Sequence, residues 1–203
     1  LVKSKIFDNI KIDQKNIKKK YIILLDQDPD YREMRVVSDL DKNLIKEHYK
    51  KLNKLLMLLS EMFKKEVIIS IHPLYDQKKT EERFKNYKVI KMKTEELIRD
   101  SFLVLSYDSS AILQAIKLKK KIIAIRSKLF FGGKRYNSDL YADRIGLKRI
   151  DIFKKINLNK NKLLIELNKN VKKYDNYLRE YSSSNISESG SKQVIRLIKE
   201  RYF

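Results

Sequence analysis

Cysteine is absent from this chain of 203 residues, which excludes disulfide bonds and thiolate metal sites and agrees with a reducing compartment. Long apolar runs are absent too, since none approaches the ~18 residues that a membrane-spanning helix needs. The N-terminal segment LVKSKIFDNIKID has neither the apolar core of a signal peptide nor an initiator Met. We therefore predict a cytoplasmic protein, and we expect this chain to be part of a longer one.

Basic residues dominate the charge of the chain. Lys and Arg number 47 against 26 acidic residues, a formal net charge of +21. Such a charge is typical of proteins that bind nucleic acid or an anionic membrane. The basic residues are mostly Lys, they are scattered along the chain, and no nucleic-acid-binding motif accompanies them. We therefore interpret most of the charge as solvated surface, do not predict nucleic-acid binding, and keep peripheral docking on the anionic inner face of a membrane as an alternative.

Short apolar strands alternate with amphipathic helices along the chain. The spacing predicts strands at 21–25, 67–71, 88–90, 103–105, 122–125 and 149–152. It predicts helices at 41–65, from Thr94 onward, at 109–118, at 139–145 and near the C-terminus. This order indicates right-handed βαβ units, and hence a Rossmann-like α/β fold whose mostly parallel sheet carries helices on both faces. Without an internal repeat or a clear linker, we predict that residues 1–203 form a single domain.

A histidine stands at the end of the second predicted strand, in the sequence VIISIHP. Pro73 restricts His72 to an extended backbone, which would hold the imidazole ring at the strand's end. Carboxyl ends of parallel strands are where open α/β sheets bind ligands, so His72 is a candidate phosphate donor. The alternative is a histidine that only caps the strand. The other histidine, His48, lies among charged residues of the long predicted helix, and we predict that it is a surface residue.

Two hydroxyl side chains open a helix after the fourth predicted strand, in the sequence FLVLSYDSSA. Ser109 and Ser110 could simply be capping residues, since Asp and Ser are common at helix N-termini. Together with His72 on the same edge of the sheet, however, they favour a shared anion, because a helix N-terminus offers unpaired N–H groups and a partial positive charge. The expected ligand is a phosphate or a nucleotide.

The order of these motifs carries a resemblance to a known family. An apolar strand ending in Gln27, then SIHP, then MKTEEL, then LSYDSSAILQA resembles the nucleotide-binding C-terminal half of two-domain GT-B bacterial sialyltransferases and related CMP-sugar transferases, which carry HP and SS motifs. The resemblance implies a catalytic role for His72. It also implies that His72, Ser109 and Ser110 hold the phosphate of the CMP leaving group.

The same resemblance implies a nucleoside site and an activity. Glu96 or Glu95 would bind the ribose, and the backbone at Met92 and Lys93 would contact the cytosine. The domain would hold a CMP-activated, sialic-acid-like or Kdo-like sugar for transfer to a surface-glycan acceptor in bacterial polysaccharide biosynthesis, without a metal or another cofactor. The family's acidic motif, which supplies the general base, belongs to the other domain and does not occur here. The chain therefore resembles a donor-binding half.

Three alternatives stay open beside this interpretation. CDP-glycerol transferases and UDP-sugar 2-epimerases share the half-fold and can present a similar histidine. A non-enzymatic basic domain that binds an anionic membrane or nucleic acid would need none of these motifs. Asp26 and Asp28 follow a strand as the catalytic aspartates do in haloacid-dehalogenase-like phosphatases. We do not favour this class, because the last strand ends in a single acidic residue, Asp151, where these enzymes have an acidic pair. We also do not assign Asp26 as a general base.

One loop is a further candidate for ligand contact. The sequence FFGGKRYNS holds two of the four glycines. Lys134 and Arg135 in this loop could close over an anionic ligand, and we hypothesise a mobile lid there. An ordinary surface loop is the alternative.

Overall fold

The structure is a computed structural model that describes residues 20–28, 41–107, 109–130 and 142–181. Its strands are β1 Tyr21–Leu25, β2 Val67–Ile71, β3 Lys88–Lys91, β4 Ser101–Ser106, β5 Lys121–Arg126 and β6 Lys148–Asp151. Its helices are α1 Lys42–Phe63, α2 Gln77–Arg83, α3 Thr94–Asp100, α4 Ile112–Lys117, α5 Lys160–Val171 and α6 Tyr174–Tyr181. A 3₁₀ turn covers Lys128–Phe130.

The six described strands form one sheet in the order β3-β2-β1-β4-β5-β6. Every neighbouring pair is parallel. This is the strand order of the Rossmann fold, so the predicted Rossmann-like α/β class is confirmed. The order reverses direction between β1 and β4, because the chain leaves β1 toward β2 on one side and leaves β4 toward β5 on the other. The prediction of a single domain over residues 1–203 stays a prediction.

Helices cover both faces of the sheet, as predicted. Alternate residues of β1 explain why, since Ile22 and Leu24 belong to one core cluster while Ile23 and Leu25 belong to the other. The first cluster is closed by apolar side chains of α1 and α5. The second is closed by α3, α4 and α6. Strands buried on both faces read as continuous apolar runs, which is the pattern of the central strands here.

Helix α1 forms because its apolar residues recur at helical spacing and bury one face. Asp41 caps its start, accepting a hydrogen bond from the Asn43 backbone N–H at 2.8 Å. Lys64 ends it in the left-handed region, with φ of 53° and its N–H on the Ser60 carbonyl. His48 is on the buried face and is fully enclosed, so the prediction that it is a surface residue was wrong. None of the helices in the described part of the chain is long and apolar enough to cross a membrane.

Two helices differ from the sequence-based prediction. Helix α2 was not predicted, because QKKTEER has no apolar periodicity; it is held by Asp76, which accepts from the Lys79 N–H at 3.1 Å, and by buried Thr80. Helix α4 begins at Ile112 and not at Ser109. The preceding residues form a tight turn in which Ser109 and Ser110 carbonyls accept from N–H groups three residues later, at 3.1 Å each. Of the helix predicted at 139–145, the structure describes a helical turn at 142–145.

Candidate functional site

A cleft of about 400 Å³ lies at the carboxyl edge of the sheet. The ends of β1 and β2, the start of α3 and the turn before α4 all contribute to it. Its lining residues are Leu25, Asp26, Gln27, Ser70, Ile71, His72, Pro73, Tyr75, Thr94, Glu95, Ser109, Ser110, Ala111 and Gln114. The cleft is therefore at the crevice between β1 and β4, where open α/β sheets bind their ligands.

His72 lies on the rim of this cleft, directly after β2. Its side chain is exposed and its ring centroid is 5.3 Å from that of Tyr75. The Leu74 backbone N–H donates to His72 Nδ1 at 3.3 Å. An imidazole that accepts through Nδ1 carries its proton on Nε2 when neutral, so His72 can present an N–H donor to a ligand.

The two serines lie on the opposite side of the cleft, after β4. Ser110 is exposed, and Ser109 Oγ accepts from the Ala111 N–H at 3.3 Å. The predicted arrangement, in which they open a helix directly, was wrong, because they belong to the turn that precedes α4. Helix α4 has six residues, so its dipole is a weak source of positive potential. Asp108 lies outside the described residues.

The predicted nucleoside residues divide between cleft and surface. Glu95 lines the cleft at the first turn of α3. Beside it, Thr94 Oγ1 lies 2.8 Å from the hydroxyl of Ser70, which ties α3 to β2. Met92, Lys93 and Glu96 are not among the described residues that line the cleft, and Met92 is 72% exposed in the left-handed region, with φ of 67°. The proposed lid residues Lys134 and Arg135 lie outside the described residues.

The cleft also contains a buried carboxyl group, that of Asp26, which was not assigned as a general base from the sequence. Asp26 is 4% exposed, and the Tyr107 hydroxyl donates a hydrogen bond to its Oδ1. Its Oδ2 has no hydrogen-bond partner among the described residues. Burial raises the pKa of Asp26 to about 6, although the bond from Tyr107 lowers it. The pKa of Tyr107 lies well above its usual range, because burial and the Asp26 charge both disfavour a phenolate.

A cluster of polar side chains lies behind the cleft floor, and we call it the buried polar cluster: Asp28, Arg83, Tyr49, His48 and Ser127. Arg83 donates to Asp28 at 2.6 Å and to the Tyr49 hydroxyl at 3.1 Å. His48 Nδ1 lies 2.7 Å from Ser127 Oγ. Burial lowers the pKa of His48 to about 3, with a further contribution from the Arg83 charge. His48 is therefore a neutral structural residue and not a surface group.

The cluster and the cleft floor are in contact through aromatic rings. The His48 ring packs edge-on against Tyr49 at 5.0 Å and against Tyr107 at 5.9 Å between centroids. Tyr107 in turn bonds Asp26, so the floor of the cleft is held from behind. No group of three His, Cys, Asp or Glu residues within the described part of the chain could hold a metal ion. The predicted independence from metal stays a prediction.

Comparisons with known proteins place the fold in context. No family model matches this chain. No curated protein matches it either. TarM from S. aureus, solved as a variant with fondaparinux, α-GlcNAc-glycerol and UDP, is 16% identical with a TM-score of 0.46 over 87% of this chain and 36% of its own.

Two further solved structures are also similar at low identity. UDP-GlcNAc 2-epimerase from Methanocaldococcus jannaschii, solved with UDP-GlcNAc and UDP, is 19% identical with a TM-score of 0.45 over 81% of this chain and 46% of its own. KpsC from Thermosulfurimonas dismutans, a β-Kdo 2,4 transferase, is 16% identical with a TM-score of 0.35 over 80% of this chain and 47% of its own. This chain therefore spans less than half the length of each. The assignment of the fold rests on the sheet order itself.

Proposed function

We propose that this domain is the donor-binding half of a metal-independent GT-B glycosyltransferase. One observation carries the proposal: exposed His72, the hydroxyls of Ser109 and Ser110, and Glu95 all line a single cleft at the carboxyl edge of a Rossmann-type sheet. The ligand class that fits this set is a nucleotide-sugar. The glycan acceptor and the general base would come from outside this chain, because its sequence lacks the acidic motif that supplies the general base in the GT-B sialyltransferases.

The order of groups along the sheet edge suggests how such a ligand lies. Glu95 is at the β3 end of the cleft, His72 follows β2, and Ser109 follows β4. A ribose would donate its hydroxyls to Glu95, while the phosphate would occupy the space between His72 and the two serines. Met92 and Lys93, which precede α3, would approach the base from the rim.

The chemistry follows from where charge develops. As the bond between sugar and phosphate breaks, negative charge grows on the leaving phosphate. The Nε2–H of His72 and two hydroxyls stabilise that charge more than they stabilise the bound substrate, which is the condition for lowering the barrier. Removing one such donor typically costs 10²–10³ in rate, roughly 2.7–4 kcal/mol.

The identity of the donor is a finer proposal. The HP and SS motifs favour CMP linked to a sialic-acid-like or Kdo-like sugar, and a UDP-sugar or CDP-glycerol is the alternative of the same class. The high positive charge, +21 overall, would suit a protein that works at the inner face of a membrane, close to a surface-polymer acceptor. A non-enzymatic basic domain is the alternative of another class.

Calorimetric titration of nucleotides tests the proposal. CMP, CDP, UMP, UDP and AMP would be added to the protein at fixed moderate salt, alongside His72→Ala and a Ser109→Ala/Ser110→Ala double variant. We expect cytidine-selective binding that both variants weaken at least tenfold. Glu95→Gln should also weaken nucleotide binding, and Glu96→Gln, which removes a charge outside the cleft lining, is its matched control.

One result would contradict the proposal, and another would change its donor. Binding that does not distinguish the nucleotides and weakens steeply with salt would indicate a general polyanion surface. Selective binding of uridine nucleotides would keep the nucleotide-sugar class and replace CMP with UDP.

A further inference from the structure

The floor of the cleft holds a carboxyl group whose hydrogen bonding is half complete. One oxygen of Asp26 accepts from Tyr107, and the other, Oδ2, has no partner among the described residues. The side chain is 4% exposed and lines the cleft. Buried polar atoms without partners are rare in folded proteins because they lose their bonds to water. The free oxygen therefore indicates a partner that the ligand supplies.

The position of Asp26 in the sheet defines that partner. β1 lies between β2 and β4, and Asp26 follows β1 directly. His72 follows β2 and Ser109 follows β4, so the two groups are separated by two strand spacings, ~10 Å in all. An anion that contacts both lies over the end of β1. The ligand atom nearest to Asp26 is then an anionic oxygen.

We propose that Asp26 binds this anion as a neutral carboxylic acid: its Oδ2–H donates a hydrogen bond to a phosphate oxygen, while its Oδ1 continues to accept from Tyr107. This inference rests on the proposed function only in placing a phosphate between His72 and the serines. The proton comes from solvent and no bond of the ligand breaks. Anion binding is therefore accompanied by uptake of protons. A charged carboxylate in the same place would repel the anion.

The charges around Asp26 are consistent with this protonation. The titratable groups that face it are Asp28 on its own segment, Arg83 on α2, Tyr107 after β4, and His72 and Glu95 across the cleft. Burial is the largest cause of the raised pKa of Asp26, about 6. The hydrogen bond from Tyr107 lowers this pKa, the Asp28 charge raises it, and the Arg83 charge and the Gln27 backbone N–H lower it. A bound dianion would raise the pKa again, which brings the protonated form into the neutral range.

Sulfate is the probe that tests the inference, because it does not titrate between pH 5.5 and 8. Binding would be measured by calorimetry at pH 5.5, 7 and 8, in buffers of different ionisation enthalpy that report proton uptake. We expect the wild-type protein to bind sulfate more tightly at pH 5.5, with net uptake at pH 7. In the His72→Gln background, where no imidazole lines the cleft, the uptake should persist, and it should disappear on adding Asp26→Asn.

Asp26→Asn is the decisive variant, since an amide resembles the protonated acid and carries a donor at every pH. At pH 8 it should bind sulfate up to about 100-fold tighter than wild type. The wild-type protein must first protonate Asp26, whose pKa of about 6 lies two units below that pH. At pH 5.5 the two should agree within about threefold. Asp26→Ala, which supplies no donor, should bind more weakly than Asp26→Asn, and Glu96→Gln should change little.

Opposite results would overturn the inference. If Asp26→Asn binds sulfate no tighter than wild type at pH 8, or if wild type fails to bind it at pH 5.5, Asp26 is not an anion donor. If Asp26→Asn weakened the binding of nucleotides but not of sulfate, Asp26 would instead be an ionised group that accepts a hydrogen bond from a ligand hydroxyl. Nucleotide-selective binding without proton linkage to Asp26 would leave the proposed function intact, whereas proton-linked sulfate binding without nucleotide selectivity would contradict only that function.

Discussion

The cleft floor and the buried polar cluster each contain a buried aspartate, but the two aspartates have different partners. Asp26 and Asp28 are two residues apart, 4% and 5% exposed. Asp28 is paired with Arg83 at 2.6 Å, whereas Asp26 accepts from the neutral hydroxyl of Tyr107, and its Oδ2 has no hydrogen-bond partner among the described residues. Burial without a cation leaves a carboxyl group that protonates easily. The Asp28 carboxylate therefore stabilises the fold through its ion pair, whereas the Asp26 carboxyl group keeps an oxygen that a ligand can contact.

Breaking the ion pair of the buried polar cluster should have the largest effect. Arg83→Met leaves Asp28 buried without its cation and removes the guanidinium that lies 4.6 Å from the Tyr49 ring centroid. We expect the free energy of unfolding to fall by about 3–5 kcal/mol. Urea denaturation at pH 7.5 measures it. Adding Asp28→Asn should restore part of the loss, and a loss below about 1 kcal/mol would show that the pair is not structural.

Neutralising the cleft-floor carboxyl should have the opposite sign. The folded pKa of Asp26, about 6, exceeds the ordinary value of 3.8, so the folded state holds its proton more tightly and loses stability as pH rises through this window. Asp26→Asn should therefore raise the free energy of unfolding by up to about 3 kcal/mol at pH 7.5. Most of this gain should vanish by pH 4.5. A variant less stable than wild type at pH 7.5 would contradict the environment described for Asp26.

Acid should act on the cluster through His48. Its folded pKa, about 3, lies below the ordinary 6.5, so the stability it confers is complete above pH 6.5 and is lost as pH falls. Between pH 7.5 and pH 5 we expect a loss of about 2 kcal/mol. Measuring it in the Asp26→Asn background removes the opposing contribution of Asp26. His48→Gln should flatten the dependence, and an unchanged slope would assign it to another group.

The smallest stability effect should come from the exposed histidine of the cleft. His72→Ala removes a surface side chain whose one described hydrogen bond is local, from the Leu74 N–H. We expect the free energy of unfolding to change by less than about 0.5 kcal/mol. Nucleotide affinity should nevertheless fall about tenfold or more, the loss expected for a charge-assisted bond. A large loss of stability in urea denaturation would make His72 a structural residue, as His48 is.

Local patterns predicted much of this architecture. The apolar runs located the strands within a few residues, and the helical spacing in α1 located its buried face. Parallel pairing then places residues that follow β1, β2 and β4 at one edge, which is why His72, Ser109 and Ser110 share a cleft. Each of these inferences needed only neighbouring residues and the handedness of βαβ units.

Other features depended on partners far along the chain. His48 reads as a surface residue among charged neighbours, but its hydrogen-bond partner Ser127 is 79 residues away. Asp26 is bonded by Tyr107, which is 81 residues away. Helix α2 has no apolar periodicity, and its buried Thr80 and the following Phe84 are explained only by packing in the fold.

The fold class and the edge of the sheet where a ligand would bind could be predicted from the sequence, because alternation and strand ends are local properties. Only folding gives Asp28 an ion pair with Arg83 and leaves Asp26 with a hydrogen bond from Tyr107. Burial, the distance to a cation and the bond to a tyrosine set the protonation of Asp26, and all three arise only when β1, β4 and α2 are packed together.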